Sequence, residues 1–184
     1  MLVIFSGPSG VGKNSVISGL IERYPDRYRL MPTVTTRAMR HGERDGMPYY
    51  FWSEQRFREG LARGEFVEHQ RIHNNLYGIN KQILSQMLNE DRILLKDIDV
   101  LGTMNILGAM DGVELRTIFV TVSGKDVLSE RLKNRGESED AIALRLSRFE
   151  LEMEYKKHYD YIVINDVLDK AVDKAHEIIT YNKQ

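Results

Sequence analysis

The chain of 184 residues contains no cysteine. This excludes a disulfide scaffold, a zinc site built on thiolates and catalysis by a cysteine nucleophile. The chain also has little charge of either sign in excess, because 26 Lys and Arg residues stand against 27 Asp and Glu residues, a formal net charge of −1. Such a balance gives no support for general binding to nucleic acid or to a membrane surface, so any basic site must be local.

Long apolar runs are missing as well. No run approaches the roughly 20 residues that are needed to span a bilayer. The first ten residues, MLVIFSGPSG, have too short an apolar part for a signal peptide and lack a charged start. Internal repeats and low-complexity segments are also absent. We therefore expect a cytoplasmic protein that binds neither membrane nor nucleic acid.

What the chain does have is enough apolar residues for a core. It is 42% hydrophobic and 29% charged, which is typical of a globular protein and not of a disordered tail. A length of 184 residues fits one domain, with room for small inserted subdomains.

Short apolar runs alternate with helical patterns along most of the chain. Strands rich in apolar or β-branched residues, separated by helices, predict an α/β fold with a parallel sheet and right-handed crossovers. Core strands are predicted at residues 2–6, 93–95, 115–122 and 161–164, and helices at residues 13–23, 53–63, 81–89, 125–134, 139–159 and 167–181.

Residues 33–80 have a different pattern of residue types from the rest of the chain. Polar residues, glycines and tyrosines alternate there with short β-prone runs, such as the alternating Phe66-Val67-Glu68-His69. This pattern predicts a small mixed α/β insert that packs against the main sheet.

The clearest motif is GPSGVGKNS at residues 7–15, directly after the first apolar strand. Gly7, four intervening residues, Gly12 and Lys13 have the spacing of a P-loop. Its glycines let successive backbone N–H groups point at one phosphate, and the following helix adds a positive end. We therefore predict a site for the phosphates of ATP, made by Gly7, Pro8, Ser9, Gly10, Val11, Gly12, Lys13, Asn14 and Ser15.

The motif departs from the strict pattern after its lysine, where a Ser or Thr would ligate Mg²⁺. Asn14 stands there and offers a neutral carbonyl oxygen, a usable but different ligand. Ser15 is the predicted hydroxyl contact to metal or phosphate. Asp97, at the end of the strand predicted at residues 93–95, is predicted to hold Mg²⁺ through water, although Lys96 interrupts the apolar run before it.

Six further motifs carry a resemblance to a known family. They are TTRAMRHGERDGMPYYF (35–51), GEFVEH (64–69), NLYG (75–78), DIDVLG (97–102), RLKNRG (131–136) and VIND (163–166). Together with the P-loop, they resemble guanylate kinases over almost the whole chain. The resemblance implies the Mg²⁺-dependent reaction of ATP and GMP (and dGMP) to ADP and GDP. It also implies one domain, with a core at residues 1–32 and 81–184, a nucleotide-binding insert at 33–80 and a helical lid at about 125–148.

Four side chains of the insert suit a nucleoside monophosphate. Arg37 and Arg40 supply guanidiniums, and Tyr49 and Tyr77 supply phenol hydroxyls, which together can clamp a dianionic phosphate. The resemblance assigns all four to the acceptor phosphate.

The resemblance also assigns the base. Glu68 would accept hydrogen bonds from N1–H and the 2-amino group of guanine, with Asp99 assisting, Thr33 donating and Gly78 adjacent. Members of the family usually have Ser or Thr after this Tyr-Gly, which donates to guanine O6, but this chain has Ile79. We therefore expect weakened reading of O6. Leu101 is a further departure, since it stands where the family often has Gln.

Arginines cluster around the polar break at residues 136–140. Phosphoryl transfer needs cations over the transferred group and exclusion of water, which a mobile segment with arginines supplies. The family's lid arginines match Arg131, Arg135 and Arg145, with Arg148 a looser match, and Asn165 matches a residue near the adenine of ATP. The predicted catalytic residues are Lys13, Arg40, Arg135 and Arg145.

Two other functions remain open at this point. Ribose 1,5-bisphosphate phosphokinases also depart from Ser or Thr after the P-loop lysine, but they lack the paired arginines and the base-reading glutamate. A non-catalytic guanylate-kinase-like scaffold domain would not need the intact P-loop and lid arginines. The five histidines have no convincing metal spacing, and the oligomeric state is not indicated.

Overall fold

A computed structural model describes residues 1–108, 110 and 112–181. Its strands are β1 (Leu2–Ser6), β2 (Tyr28–Leu30), β3 (Thr33–Thr35), β4 (Arg44–Asp45), β5 (Pro48–Phe51), β6 (Phe66–Ile72), β7 (Asn75–Asn80), β8 (Ile93–Asp97), β9 (Leu115–Thr121) and β10 (Tyr161–Ile164). Its α-helices are α1 (Lys13–Arg23), α2 (Glu54–Ala62), α3 (Lys81–Leu88), α4 (Val100–Leu107), α5 (Lys125–Asn134), α6 (Glu139–Met153) and α7 (Leu168–Thr180).

The larger sheet has five parallel strands in the order β10-β9-β1-β8-β2. Its central strand β1 is fully buried, as expected of a parallel strand that helices cover on both faces. The predicted α/β class with a parallel sheet is confirmed.

Side chains of β1 alternate between two apolar clusters because successive residues of a strand point to opposite faces. Val3 and Phe5 belong to a cluster with α1, α5, α6 and α7, whereas Leu2 and Ile4 belong to a second cluster with α3 and α4. These two clusters hold the sheet between its helices and fix the carboxyl ends of its strands at one edge.

A second five-stranded sheet, of order β4-β5-β3-β7-β6, is built entirely from residues 33–80 and has mixed strand directions. Phe57 of α2 stacks on Phe66 of β6 with ring centroids 4.3 Å apart, inside an apolar cluster of its own. Ile79 on β7 instead joins the second cluster of the core. The insert therefore has its own small core and one apolar anchor in the main one.

Three elements differ from the sequence prediction. The predicted helix at residues 139–159 ends at Met153, and a 3-10 turn covers Glu154–His158. Strand β2 was missed because it has three residues, of which only Tyr28 is buried. Helix α4 was missed because it follows β8 almost directly, where Asp99 caps it by accepting from the Gly102 N–H at 2.7 Å. In the part of the chain that the structure describes, no helix is long and apolar enough to cross a bilayer.

Candidate active site

The P-loop lies between β1 and α1 and requires glycine at two positions. Gly7 has φ +126°, and a Cβ there would lie 2.0 Å from the Val120 carbonyl oxygen of β9. Gly12, which precedes α1, has φ +91°, and a Cβ would lie 2.4 Å from Nδ2 of Asn165. Both positions have a left-handed backbone and no space for a side chain, so the loop is shaped by close contacts with neighbouring strand ends.

Lys13 is the first residue of α1 and lies over this loop. Its Nζ donates to the carbonyl oxygens of Gly7 at 2.8 Å and Pro8 at 3.1 Å. The ammonium is thereby held beside the helix N-terminus, where backbone N–H groups and the helix dipole favour an anion. Asp97 ends the neighbouring β8; burial raises the pKa of its carboxyl, and the charges of Lys13 and Lys96 oppose the shift.

The residues around Asp97 fit a magnesium ion that is bound together with nucleotide phosphates. Mg²⁺ in such sites takes one or two carboxylates, phosphate oxygens and waters, and no cluster of three acidic or histidine side chains is found among the described residues. The Asn14 side chain lines the same cleft as Asp97. Asn14 and Ser15, the predicted hydroxyl ligand, are both exposed, but Ser15 is not part of that lining, so the lining of the cleft supports Asn14 rather than Ser15.

One cleft of about 600 Å³ connects the P-loop with the insert. It brings together predicted residues from both halves of the site: Gly7, Ser9, Lys13, Asn14, Thr33, Tyr49, Glu68, Tyr77, Gly78, Asp97 and Asp99. The residues predicted for a phosphate donor and those predicted for an acceptor therefore line the same space.

The far end of this cleft contains a buried carboxyl. Glu68 on β6 is 8% exposed, and burial, with the nearby charge of Asp99, raises its pKa to about 7, while the charge of Lys96 opposes this. Ile79 faces the same cleft and is buried. This end of the cleft has acidic acceptors for hydrogen bonds, but the residue at position 79 cannot donate one.

A buried lysine that the sequence prediction did not use lies beside Glu68. Lys96 on β8 donates to the Met31 carbonyl oxygen at 3.2 Å and to the Thr33 hydroxyl. Burial lowers the pKa of its ammonium to about 8, although Asp97 and Glu68 favour the charged form. The sequence did contain a sign of this residue, because a lysine interrupts an otherwise apolar strand. Its meaning became clear only when the structure showed which groups the lysine contacts.

The predicted phosphate clamp is partly assembled. Arg37 lies over the Tyr49 ring at 5.2 Å, and the Tyr49 and Tyr77 rings are 6.1 Å apart. The Arg37 guanidinium is already paired with both oxygens of Glu43, at 3.0 and 2.7 Å, and the Arg40 backbone N–H donates to Glu43 as well. The Arg40 side chain is exposed. Sequence reasoning missed Glu43 as the partner of this arginine.

The predicted lid residues contact the P-loop to different degrees. Arg145 on α6 donates to the Ser9 hydroxyl and pairs with Glu137 at 2.7 Å. Arg131 on α5 donates to the Val11 carbonyl oxygen at 3.5 Å. Arg135 is exposed at the end of α5. Two of the three arginines thus already touch the loop, and the side chain of the exposed Arg135 has no hydrogen bond or ion pair among the described residues.

Two further residues lie near the P-loop. Asn165, after β10, is buried and donates to the Val11 carbonyl oxygen at 2.8 Å. Its Oδ1 is also buried and has no partner among the described residues. Glu152 of α6 lines the cleft, with its carboxyl pKa raised by burial and the Lys13 charge opposing. Nothing in the sequence singles out Glu152, because it lies among other acidic residues of a polar helix.

Comparison with known proteins points to one family. A family model described as guanylate kinase matches residues 1–182. A guanylate kinase of Chlorobium luteolum is 38% identical over 94% of this chain and 87% of its own, and one of Photorhabdus laumondii is 38% identical over 97% and 86%. A crystal structure of guanylate kinase from Anaplasma phagocytophilum has a TM-score of 0.70 and 26% identity, covering 97% of this chain and 84% of the other.

A more distant structure shows how general the core is. Shikimate kinase from Bacteroides thetaiotaomicron shares the fold with a TM-score of 0.52 at 14% identity, covering 98% of this chain and 99% of its own. Since the match to the guanylate kinase model extends through both sheets and the whole cleft, the chain belongs to the guanylate kinase family of nucleoside monophosphate kinases.

Proposed function

We propose that the protein transfers the γ-phosphoryl group of ATP to GMP, with Mg²⁺, through the residues of the cleft between its two sheets. The observation that carries this is that the P-loop ammonium of Lys13 and the buried carboxyl of Glu68 open into one cleft of about 600 Å³. A donor phosphate site and a base-binding pocket in one cleft allow the acceptor phosphate to lie between them, in line for transfer.

ATP would bind at the P-loop. Its β- and γ-phosphates would lie at the N-terminus of α1, where Lys13 exchanges the carbonyl oxygens of Gly7 and Pro8 for phosphate oxygens. The adenine would approach the chain near Asn165, which holds the P-loop in place by donating to the Val11 carbonyl oxygen. Asp97, through water, and Asn14 would hold the magnesium ion, which supplies charge neutralisation on the phosphates when bound.

GMP would bind across the insert. Ionised Glu68 accepts from N1–H and the 2-amino group of guanine, and adenine offers neither donor on that edge. The GMP phosphate lies against Arg37, Tyr49 and Tyr77, with Arg40 closing from the loop. Since Glu43 already pairs with Arg37, the phosphate replaces or shares a carboxylate that holds the guanidinium in position.

Transfer then needs little covalent chemistry from the protein. An oxygen of the GMP phosphate forms a bond to the γ-phosphorus as the bond to the β,γ-bridging oxygen breaks, and that electron pair leaves with ADP. Lys13, Arg135 and Arg145 stabilise the charge on the transferred group. We assign residues 125–148 as the lid and residues 33–80 as the insert that close over both nucleotides and exclude water.

Measurement of ADP release against a panel of acceptors tests this function. We expect rapid turnover with GMP, slower turnover with IMP, which lacks the 2-amino group, and none above background with AMP. Ribose 1,5-bisphosphate belongs in the panel, because turnover with it in preference to GMP would overturn the assignment of the acceptor. Absence of turnover with every acceptor would instead favour a scaffold role. Removal of Mg²⁺ by EDTA should abolish the GMP reaction.

The cellular setting of the enzyme is also part of the proposal. A nucleotide kinase without cysteine suits the cytoplasm, where ATP and nucleoside monophosphates are found, and we propose that it binds only these nucleotides. Fractionation of cells with an antibody to the protein would test the location.

A further inference from the structure

The buried ammonium of Lys96 lies where the two sheets meet. Lys96 belongs to β8 of the parallel sheet, whereas its two acceptors, the Met31 carbonyl oxygen and the Thr33 hydroxyl, lie where the chain passes from β2 into β3 of the insert. Lys96, Thr33, Glu68 and Ile79 all line the cleft. A core lysine therefore reaches the base-binding end of the acceptor site through a side chain of the insert.

The chemistry of this contact fixes the role of each partner. An ammonium group has three protons and no lone pair, so it can only donate. The Thr33 hydroxyl must therefore accept from Lys96, and its own proton remains for another acceptor. Among the hydrogen bonds of the described residues, none uses the Thr33 hydroxyl as a donor. Its proton is available to a ligand atom that carries a lone pair.

A guanine base in this pocket needs such a donor. Glu68 and Asp99 can accept from its N1–H and 2-amino groups, but its O6 carbonyl needs a proton from the protein. Ile79 cannot supply one, and it is 1% exposed within an apolar cluster. Among the side chains that line the cleft near Glu68, Thr33 and Lys96 carry protons, as do the amide of Gln70 and, opposite it on β7, the phenol of Tyr77, which the acceptor phosphate uses.

We propose that Lys96 is a positioning residue for guanine: by donating to the Thr33 hydroxyl, it directs the Thr33 proton to O6 and so replaces the hydroxyl that is absent at position 79. The proposal rests on GMP being the acceptor, as proposed above. It makes the lysine in the middle of an apolar strand a determinant of specificity, although the lysine itself does not touch the substrate.

A comparison of GMP with 6-thio-GMP measures this contact directly. The analogue keeps N1–H, the 2-amino group, the ribose and the phosphate, and replaces only O6 by sulfur, a weaker hydrogen-bond acceptor. The ratio of kcat/KM for the two acceptors cancels any general loss of activity or of folded enzyme. In wild type we expect GMP to be preferred, and in Lys96→Met we expect this preference to fall by about tenfold, the equivalent of one buried hydrogen bond.

Two substitutions of Thr33 separate the hydrogen bond from a structural effect of removing a buried lysine. Thr33→Val removes the proton and leaves Lys96 in place, so it should lower the preference as much as Lys96→Met does. Thr33→Ser keeps the hydroxyl and should keep the preference. If Lys96→Met does not fold, this pair still decides the question, because equal ratios in Thr33→Val and Thr33→Ser would overturn the proposal.

A second-site change tests whether Lys96 replaces the residue at position 79. In the Lys96→Met background, Ile79→Thr places a hydroxyl in the pocket again and should restore much of the preference for GMP over 6-thio-GMP. Restoration by Ile79→Thr, with none by Ile79→Val, supports the replacement. No restoration in either variant would show that position 79 does not reach O6 and would overturn that part of the proposal.

Gln70→Leu is the matched control for another donor. If this variant loses the preference while Lys96→Met and Thr33→Val keep it, the O6 contact belongs to Gln70 and the proposal is wrong. A failure of the proposed function looks different: wild-type enzyme would then release no ADP with GMP, whereas failure of the present inference leaves GMP turnover intact and the ratio of the two acceptors unchanged by Lys96→Met.

Discussion

The two halves of the cleft are built from different parts of the chain. The P-loop half is made of backbone: glycines in left-handed conformations pack against strand ends, and Lys13 lies over the loop carbonyls. The insert half is made of side chains, with Glu68 buried and Arg37 already paired, and Lys96 of the core reaches it through Thr33. A backbone site recognises phosphate, which every nucleotide carries, whereas a side-chain site recognises one base, and it does so through charges that burial perturbs.

Removal of the Lys13 ammonium should have the largest effect on phosphoryl transfer, and this effect should be confined to the P-loop half. We expect Lys13→Ala to lower phosphoryl transfer by a factor of about 10² to 10³, because it removes a preorganised cation from the transferred group. GMP affinity, measured by calorimetry, should stay close to the wild-type value. Lys174→Ala, which removes an exposed partner of Glu177, is the control. Loss of GMP binding in Lys13→Ala would mean that the two halves are not independent.

Alanine substitutions of two glycines with positive φ, one in each half, should lower the free energy of unfolding by different amounts. Gly7→Ala should lower the free energy of unfolding by more than about 3 kcal/mol and abolish ATP binding, since its Cβ would lie 2.0 Å from a backbone carbonyl oxygen. Gly42→Ala in the insert has φ +84° and no atom within 4 Å of the new Cβ, so it should cost only about 1–2 kcal/mol. Urea unfolding of both variants measures the difference, and equal losses would contradict it.

Low pH should weaken the binding of GMP in the insert half and should have little effect on the binding of ATP in the P-loop half. The pKa of Glu68 is raised to about 7, mainly by burial, so the carboxyl is mostly protonated at pH 6 and cannot accept from both donors of guanine. Ionisation of Glu68 alone should raise kcat/KM for GMP by about tenfold between pH 6 and pH 8, partly offset near pH 8 because Lys96, whose pKa is about 8, begins to lose its proton. The KM for ATP should change much less.

A matched variant separates this titration from that of the substrate. The GMP phosphate also ionises with a pKa near 6, which gives about a twofold rise over the same range and multiplies the Glu68 effect in the wild type. Glu68→Gln should be less active throughout and should show only that smaller rise. A full tenfold rise in Glu68→Gln would assign the pH dependence to another group.

The difference between the backbone-built P-loop half and the side-chain-built insert half also explains how much of the site could be predicted from the sequence. The P-loop was predictable because its glycine spacing and preceding strand are local features, and the parallel core followed from buried apolar runs such as Leu2–Ser6. Lys96 and Glu43 were not predictable, because their partners are fixed by the tertiary fold: Lys96 contacts residue 31, 65 positions away. Glu43 follows Arg37 by six residues, yet only the insert loop shows that the two pair bidentately.

The smallest expected effect is that of a hydroxyl at position 79 in otherwise wild-type enzyme. If Lys96 and Thr33 already serve O6, Ile79→Thr should lower the KM for GMP by only about two- to threefold, the equivalent of about 0.5 kcal/mol. It should also destabilise the fold by about 1–3 kcal/mol, since residue 79 is 1% exposed among Leu2, Ile4 and Met31. Ile79→Val has the same shape as the threonine variant without the hydroxyl and should cost about 0.5–1.5 kcal/mol. The difference between the two variants isolates the hydroxyl, and a tenfold or greater gain in Ile79→Thr over Ile79→Val would mean that O6 lacks a donor in the wild-type pocket.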